Sequence, residues 1–173
     1  MADMFEFDIS EFENYFNLIE KASKGLFKKE IAKWFEASGF EFLRIVQDEI
    51  IRREVVDTRL LLNSFQKGSK ENTWKVSDSG LTLEVGTNIK YAQFVNDGHW
   101  TNTRGVSTRF VPGEWRGDKF VYIKGADTGM VLKQKWIEGA HYWESAIRIF
   151  ERVFEASIEI KMQEWGDKYF SQG

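Results

Sequence analysis

Apolar residues along the first half of this chain recur with a helical period, switch to strict alternation near residue 73, and return to a helical period after residue 140. Phe12, Phe16 and Ile19 stand at i, i+4 and i+7, and Ser10 with Glu13 forms a capping box, so a first helix is expected to begin at Ser10. Gly25 is placed to end it. From Phe27 to about Glu54, the residues Phe27, Ile31, Phe35, Phe42, Ile45, Val46 and Ile50 share one face between Lys, Glu and Arg. Such a helix is roughly 42 Å long. A domain of this length has a radius of gyration of about 16 Å, so the helix is expected to cross the whole protomer. Asp57 or Thr58 can cap a short helix that presents Leu60, Leu61 and Phe65. Trp74 and Val76, then Leu81, Leu83 and Val85, alternate around Asp78-Ser79-Gly80, the pattern of a β-hairpin.

After the hairpin, Tyr91, Phe94 and Val95 lie at i, i+3 and i+4, one turn of helix with an apolar edge. Leu61, Val85, Tyr91 and Phe94 are therefore expected in the core of this region, with Gly98 as a left-handed closing residue. Residues 99–124 look irregular and then extended. Pro112-Gly113 suits the centre of a type II turn, and residues 119–124 read as a short strand with two apolar faces. Gly125, Gly129 and Gly139 look like joints of a second connection. A final helix runs from about His141 to Tyr169, with Ala146, Ile149, Phe150, Val153, Phe154 and Ile158 as its stripe. The expected fold is α+β: one domain over residues 1–173, with long helices on a small antiparallel sheet and an extended arm.

Composition narrows the chemistry. The 173 residues include no Cys and one Pro, which excludes disulfides, thiolate metal sites and Cys nucleophiles. The acidic N-terminus lacks a basic region ahead of an apolar run, and no segment approaches the ~18 apolar residues of a membrane span, so a soluble protein is expected. His99 and His141 have no nucleophile elbow to serve, and the Arg116-Gly117-Asp118 tripeptide is ordinary turn chemistry. No metal-binding or phosphate-loop motif occurs. No catalytic residue, metal or cofactor is expected, and the sequence does not read as an enzyme.

Charge is the more informative property. Residues 1–64 carry 13 acidic and 9 basic side chains. Residues 99–124 carry Arg104, Arg109, Arg116, Lys119 and Lys124 against only Glu114 and Asp118. These cations interleave with Trp100, Phe110, Trp115, Phe120 and Tyr122. Charge mixed with stacking planes suits either an acidic protein surface or single-stranded nucleic acid. An isoelectric point of about 5.6 weighs against nucleic acid as the main partner.

Two stretches carry a family resemblance. Asp57, Thr58, Leu61 and Ser64 match an Asp-Thr-Gly-x-Leu segment, and Val85 to Ala92 match Val-Gly-Thr-Asn-x-x-Tyr-Ala, followed by an acidic-Gly ending at Asp97-Gly98. This text resembles the small neck proteins of tailed bacteriophages, known as head–tail connector, head–tail joining, tail-completion or tail-terminator proteins. The continuation from Arg109 to Trp143 resembles the branch found in contractile-tailed phages and phage-tail-like prophages of Gram-positive bacteria. The likeness covers about residues 57–150. Arg59 stands where the family has Gly, so the turn before Leu60 is expected to be built differently. The resemblance implies a structural virion protein, assembled in the bacterial host cytoplasm, that forms a hexameric ring at the neck. It would complete the tail tube and join it to the head connector, with DNA only as cargo in the channel and no membrane partner. The other reading left open is a nucleic-acid-binding accessory protein. On the ring reading, Trp100, Arg104, Arg109, Phe110, Trp115, Arg116 and Lys119 are the candidate contacts to a neighbouring subunit or ring, by strand addition or against an acidic helical flank.

Overall fold

The periodic stripes fold where their spacing places them. The computed structural model describes residues 4–55, 59–103 and 105–170. Its elements run β1 (Met4–Asp8), a 3-10 turn (Ser10–Phe12), α1 (Glu13–Ala22), α2 (Phe27–Arg52), α3 (Leu60–Ser64), β2 (Asn72–Val76), β3 (Thr82–Thr87), α4 (Ala92–Asp97), β4 (Gly98–Trp100), β5 (Thr108–Arg116), β6 (Lys119–Tyr122), β7 (Gly129–Lys133), β8 (Trp136–Glu138) and α5 (Tyr142–Phe170). This is an α+β fold. The chain forms two compact units, one from the segments up to Asn96 and from Ala140 onward, the other from Asp97 to Gly139.

In the first unit, β1, β3 and β2 form an antiparallel sheet with β3 in the middle. Phe7 pairs with Leu83, and Trp74 with Val85. Phe7, Leu83 and Val85 are buried, as are Phe35, Phe42 and Ile50 on α2 and Ala146, Phe150 and Ile158 on α5. The Phe7 ring lies 4.6 Å from Phe150 and 5.3 Å from Phe42, both edge-to-face, the arrangement aromatic quadrupoles prefer. At the other end of the helices, Trp165 sits 4.9 Å from Phe27 and 5.7 Å from Trp34. Gly39 interrupts α2 at a cost of about 1 kcal/mol relative to Ala. It does so because a Cβ there would fall 2.5 Å from Leu83 Cδ2 and 2.7 Å from the Trp74 ring. The glycine lets the helix backbone lie directly on the sheet.

Several local expectations change. β1 is absent from the sequence reading. The capping box does not form: the Ser10 N–H donates to Asp8 Oδ1 at 2.8 Å, and a 3-10 turn precedes α1. Ser10 and Glu13 therefore flank the start of the helix without capping it. Gly25 does close α1, with φ +91° and its N–H on the Glu20 carbonyl. Asp57 and Thr58 lie outside the described residues. In α5 the expected stripe splits. Ala146, Phe150 and Ile158 face the core, whereas Ile149 and Val153 are exposed. The two long helices meet along a band too narrow for every apolar residue of α5.

Leu61 and Val85 are buried as expected, but Tyr91 and Phe94 are 39% and 56% exposed and are not core residues. The buried face of α4 belongs to Ala92 and Asn96. A hydrogen bond from Tyr142 to the Ala92 carbonyl and the contacts of Asn96 with the start of α5 set its rotation. Three residues of spacing cannot tell which side of a six-residue helix faces inward.

Arg59 also corrects the reading. It enters α3 with φ 61° and ψ 2°, the left-handed conformation that glycine adopts freely. The turn keeps the glycine geometry and holds it with an arginine. Left-handed backbone costs an L-residue roughly 1–2 kcal/mol. Arg59→Gly is expected to stabilise the protein by about 1 kcal/mol, raising Tm by about 2–4 °C in a thermal melt. A lower Tm would show that the Arg59 side chain holds the turn.

Candidate subunit interface

The chain leaves the first unit at Asn96 and re-enters it at Ala140, and the two crossing points are tied together. Ala140 N–H donates to the Val95 carbonyl at 2.8 Å, and His141 N–H to the Asn96 carbonyl at 2.9 Å. The buried Asn96 side chain accepts from Trp143 N–H at 2.9 Å, satisfying one of the amides left open at the start of α5, and donates to Glu144 at 2.8 Å. Arg53 donates to the Ala140 carbonyl at 2.5 Å and to Glu49 at 3.2 Å. Glu49 is itself buried, and its carboxyl is held down to about 2 by Arg52, with Ser145 and Arg53 adding to the effect. The gateway to the second unit is thus a fixed part of the first.

The second unit is not an irregular loop. β6, β5 and β7 form an antiparallel sheet, and β4 pairs with β8 in a short ribbon. Pro112-Gly113 is not a turn but lies inside β5. A Cβ on Gly113 would collide with the Val121 carbonyl oxygen and meet the Phe120 ring at 2.8 Å. Gly129 is likewise no joint. It opens β7, and a Cβ there would meet the Phe110 ring at 2.6 Å. Both glycines let an aromatic ring lie across the neighbouring strand.

Pairing and alternation assign the faces. One face carries Arg109, Val111 and Trp115 on β5, Phe120 and Tyr122 on β6, and Met130 and Leu132 on β7. The opposite face carries Phe110, Pro112, Val121 and Val131 together with Thr108, Glu114, Arg116, Lys119 and Lys133. Trp115 and Phe120 are a cross-strand pair at 5.4 Å. The Trp115 face is apolar but for Arg109, yet among the described residues no apolar side chain of this unit is fully buried. Trp115 is 60% exposed and Val131 62%. Antiparallel sheets in water normally turn one polar face outward. Here the face with Glu114, Arg116 and Lys119 is the polar one, and the face with Trp115 and Tyr122 is apolar yet still exposed.

Of the candidate contact residues, Arg109, Phe110, Trp115, Arg116 and Lys119 share this sheet. Trp100 lies instead on β4 and meets Trp136 of β8 at 5.3 Å. Arg104 lies outside the described residues. Arg116 pairs with Glu114 at 2.7 Å, whereas Arg109 and Lys119 have no ion pair among the described residues. Val131 and Trp136 are exposed in this unit as well and are not among the residues expected at the contact. The run Met130-Val131-Leu132 was the available signal. The unit carries seven Lys and Arg against five Asp and Glu, and the rest of the chain carries 17 against 22. Among the described residues, no group of His, Asp or Glu could hold a metal, and no helix is long and apolar enough to cross a membrane.

Residues 16–98 match the family described as "Bacteriophage HK97-gp10, putative tail-component". Two proteins of Bacillus subtilis (strain 168) are similar over most of the chain. "Uncharacterized protein YqbI" is 46% identical over 156 residues, 88% of this chain and 93% of that protein. "Phage-like element PBSX protein XkdI" is 46% identical over 147 residues, 85% of this chain and 90% of that protein. No solved structure matches. The family segment stops where the second unit begins, whereas both relatives align over lengths too great to leave that unit out.

Proposed function

The chain belongs to a family of phage tail structural proteins, the HK97-gp10-like tail components, and from that premise we propose that it forms a closed ring of six copies at the phage neck. The ring completes the tail tube and joins it to the head connector, leaving a channel through which DNA passes. Its work is assembly rather than catalysis. The observation that supports this reading is the second unit, whose sheet has one largely apolar face with Trp115 60% and Tyr122 61% exposed. Fully burying one such Phe or Leu is worth about 1.5–3 kcal/mol. A sheet that leaves several of them in water is built for a partner. A ring supplies one, since each copy presents a surface to the unlike surface of the next and rotation closes the circle.

Electron cryo-microscopy of purified particles containing the chain tests the proposal. A sixfold ring at the head-proximal end of the tail tube is the expected result. A ring at the distal end, or none in the mature particle, would overturn it. A nucleic-acid role has one observation in its favour, Arg109, which has no ion pair among the described residues and shares a sheet face with Trp115 and Phe120. Single-strand affinity that falls steeply between low and moderate salt would support that role instead.

A further inference from the structure

The corner between α1 and α2 concentrates positive charge on an otherwise acidic unit. Residues 21–33 hold five lysines and one glutamate, whereas the rest of the first unit carries 12 Lys and Arg against 21 Asp and Glu. Lys24 and Gly25, with φ 52° and 91°, reverse the chain between the two helices. Lys21, Lys24, Lys28, Lys29 and Lys33 are all exposed, and none has an ion pair among the described residues. Lys29 and Lys33 stand one turn apart on α2, on the side away from the buried Phe27 and Ile31. The carboxylates beside them are already engaged. Glu30 accepts from Lys168 and Tyr169, and Glu20 accepts from the Lys28 N–H at 2.8 Å. Ser23 Oγ accepts from the Phe27 N–H at 3.0 Å, so the first two amides of α2 are capped and the lysines, not the helix end, make the site.

We infer that this lysine corner is where each copy touches the sugar–phosphate backbone of the duplex that passes through the ring. The inference rests on the ring reading, and it names the surface that the DNA meets. Residue type selects the partner. Protein interfaces are enriched in aromatic residues and Arg and depleted of Lys. Residues 21–33 contain no arginine, and Leu26 is their one exposed large apolar side chain. The corner therefore gives a protein partner little to bury. Lysine is a compact, strongly hydrated point charge, without the planar fork that arginine offers to a fixed partner. Five of them suit a regular polyanion bound through counterion release and without regard to sequence. Such contacts weaken steeply as salt rises, so they guide a duplex without arresting it. The acidic remainder of the first unit repels phosphate and confines the contact to the corner.

Fluorescence anisotropy of a short labelled DNA duplex of mixed sequence, titrated with the full chain, tests the inference. Three to five phosphate contacts give a slope of about −3 to −4.5 in log K against log salt, so affinity is expected to fall roughly 40- to 500-fold between about 50 and 200 mM salt. Lys29→Gln/Lys33→Gln is expected to weaken binding about tenfold or more at the lower salt and to shrink the slope by about 1.8, with Tm unchanged. Arg109→Gln/Lys119→Gln, which removes cations of the second unit, is expected to leave both values as they are. No binding at about 50 mM salt with protein near 1 mM, above the usual range of non-specific Kd, would overturn the inference. So would an unchanged slope in the Lys29/Lys33 variant, or a loss confined to the Arg109/Lys119 variant. A Lys29/Lys33 variant that binds duplex normally yet fails to enter particles would mean that the corner meets an acidic protein, which also overturns it. If microscopy shows the ring and the duplex does not bind, the ring reading survives and this contact does not. If the duplex binds at the corner and the particle holds no ring, the lysine site stands and the ring reading fails.

Discussion

Excision of residues 97–139, with Asn96 joined to Ala140 through two glycines, is expected to leave a folded monomer that no longer enters particles. The cut is clean because the first unit already holds its ends together. Val95 and Asn96 accept hydrogen bonds from Ala140 and His141, and Asn96 caps the start of α5. Among the described residues, every fully buried apolar side chain belongs to the first unit, so its core survives intact. A narrower cut of 101–118 would remove β5 and leave β6 and β7 without the strand that pairs both. Circular dichroism should show the α2 and α5 signal retained, with a Tm within a few degrees of the full chain. Gel analysis of purified particles should show the shortened protein missing. Normal incorporation would mean that the second unit is dispensable and that the copies meet elsewhere.

The sequence made the first unit legible because its elements are long or strongly patterned. α2 and α5 repeat their period over 26 and 29 residues, and β2–β3 alternates around a glycine turn with φ +74° at Gly80. What failed was short or depended on non-local contacts. β1 is five residues with only Phe5 and Phe7 as signal, and it becomes a strand by pairing with β3, about 80 residues later. α4 has six residues, so its inward face is decided by Asn96 and α5 rather than by the spacing of Tyr91 and Phe94.

The second unit was partly legible. Its charge, its aromatic content and one strand were visible, and five of the seven candidate contact residues share its three-stranded sheet. Its glycines misled, because Gly113 and Gly129 occur where a ring crosses a neighbouring strand, not where the chain turns. Local turn chemistry cannot distinguish these uses, since the colliding atoms come from another strand.

Burial also ranks the aromatic residues by their contribution to stability. Phe42 is fully buried, with ring centroids of Phe5, Phe7, Phe150 and Trp143 at 4.9–5.4 Å. Removing it leaves a cavity between α2, α5 and the sheet that close-packed neighbours fill only in part. Phe42→Ala is expected to cost about 3–5 kcal/mol. That is a large share of the roughly 5–15 kcal/mol that stabilises a typical domain, and it lowers Tm by about 10 °C or more. Phe94 keeps more than half of its surface in water, so Phe94→Ala forfeits only part of the transfer energy of one ring, about 1 kcal/mol. Urea titrations of the two variants, followed by far-ultraviolet circular dichroism, measure the difference directly. Equal losses would mean that Phe94 contributes to stability as a core residue does. A large loss at Phe42 alone would fix the core at the helix–sheet layer and leave α4's outward face available for contacts in the assembled particle.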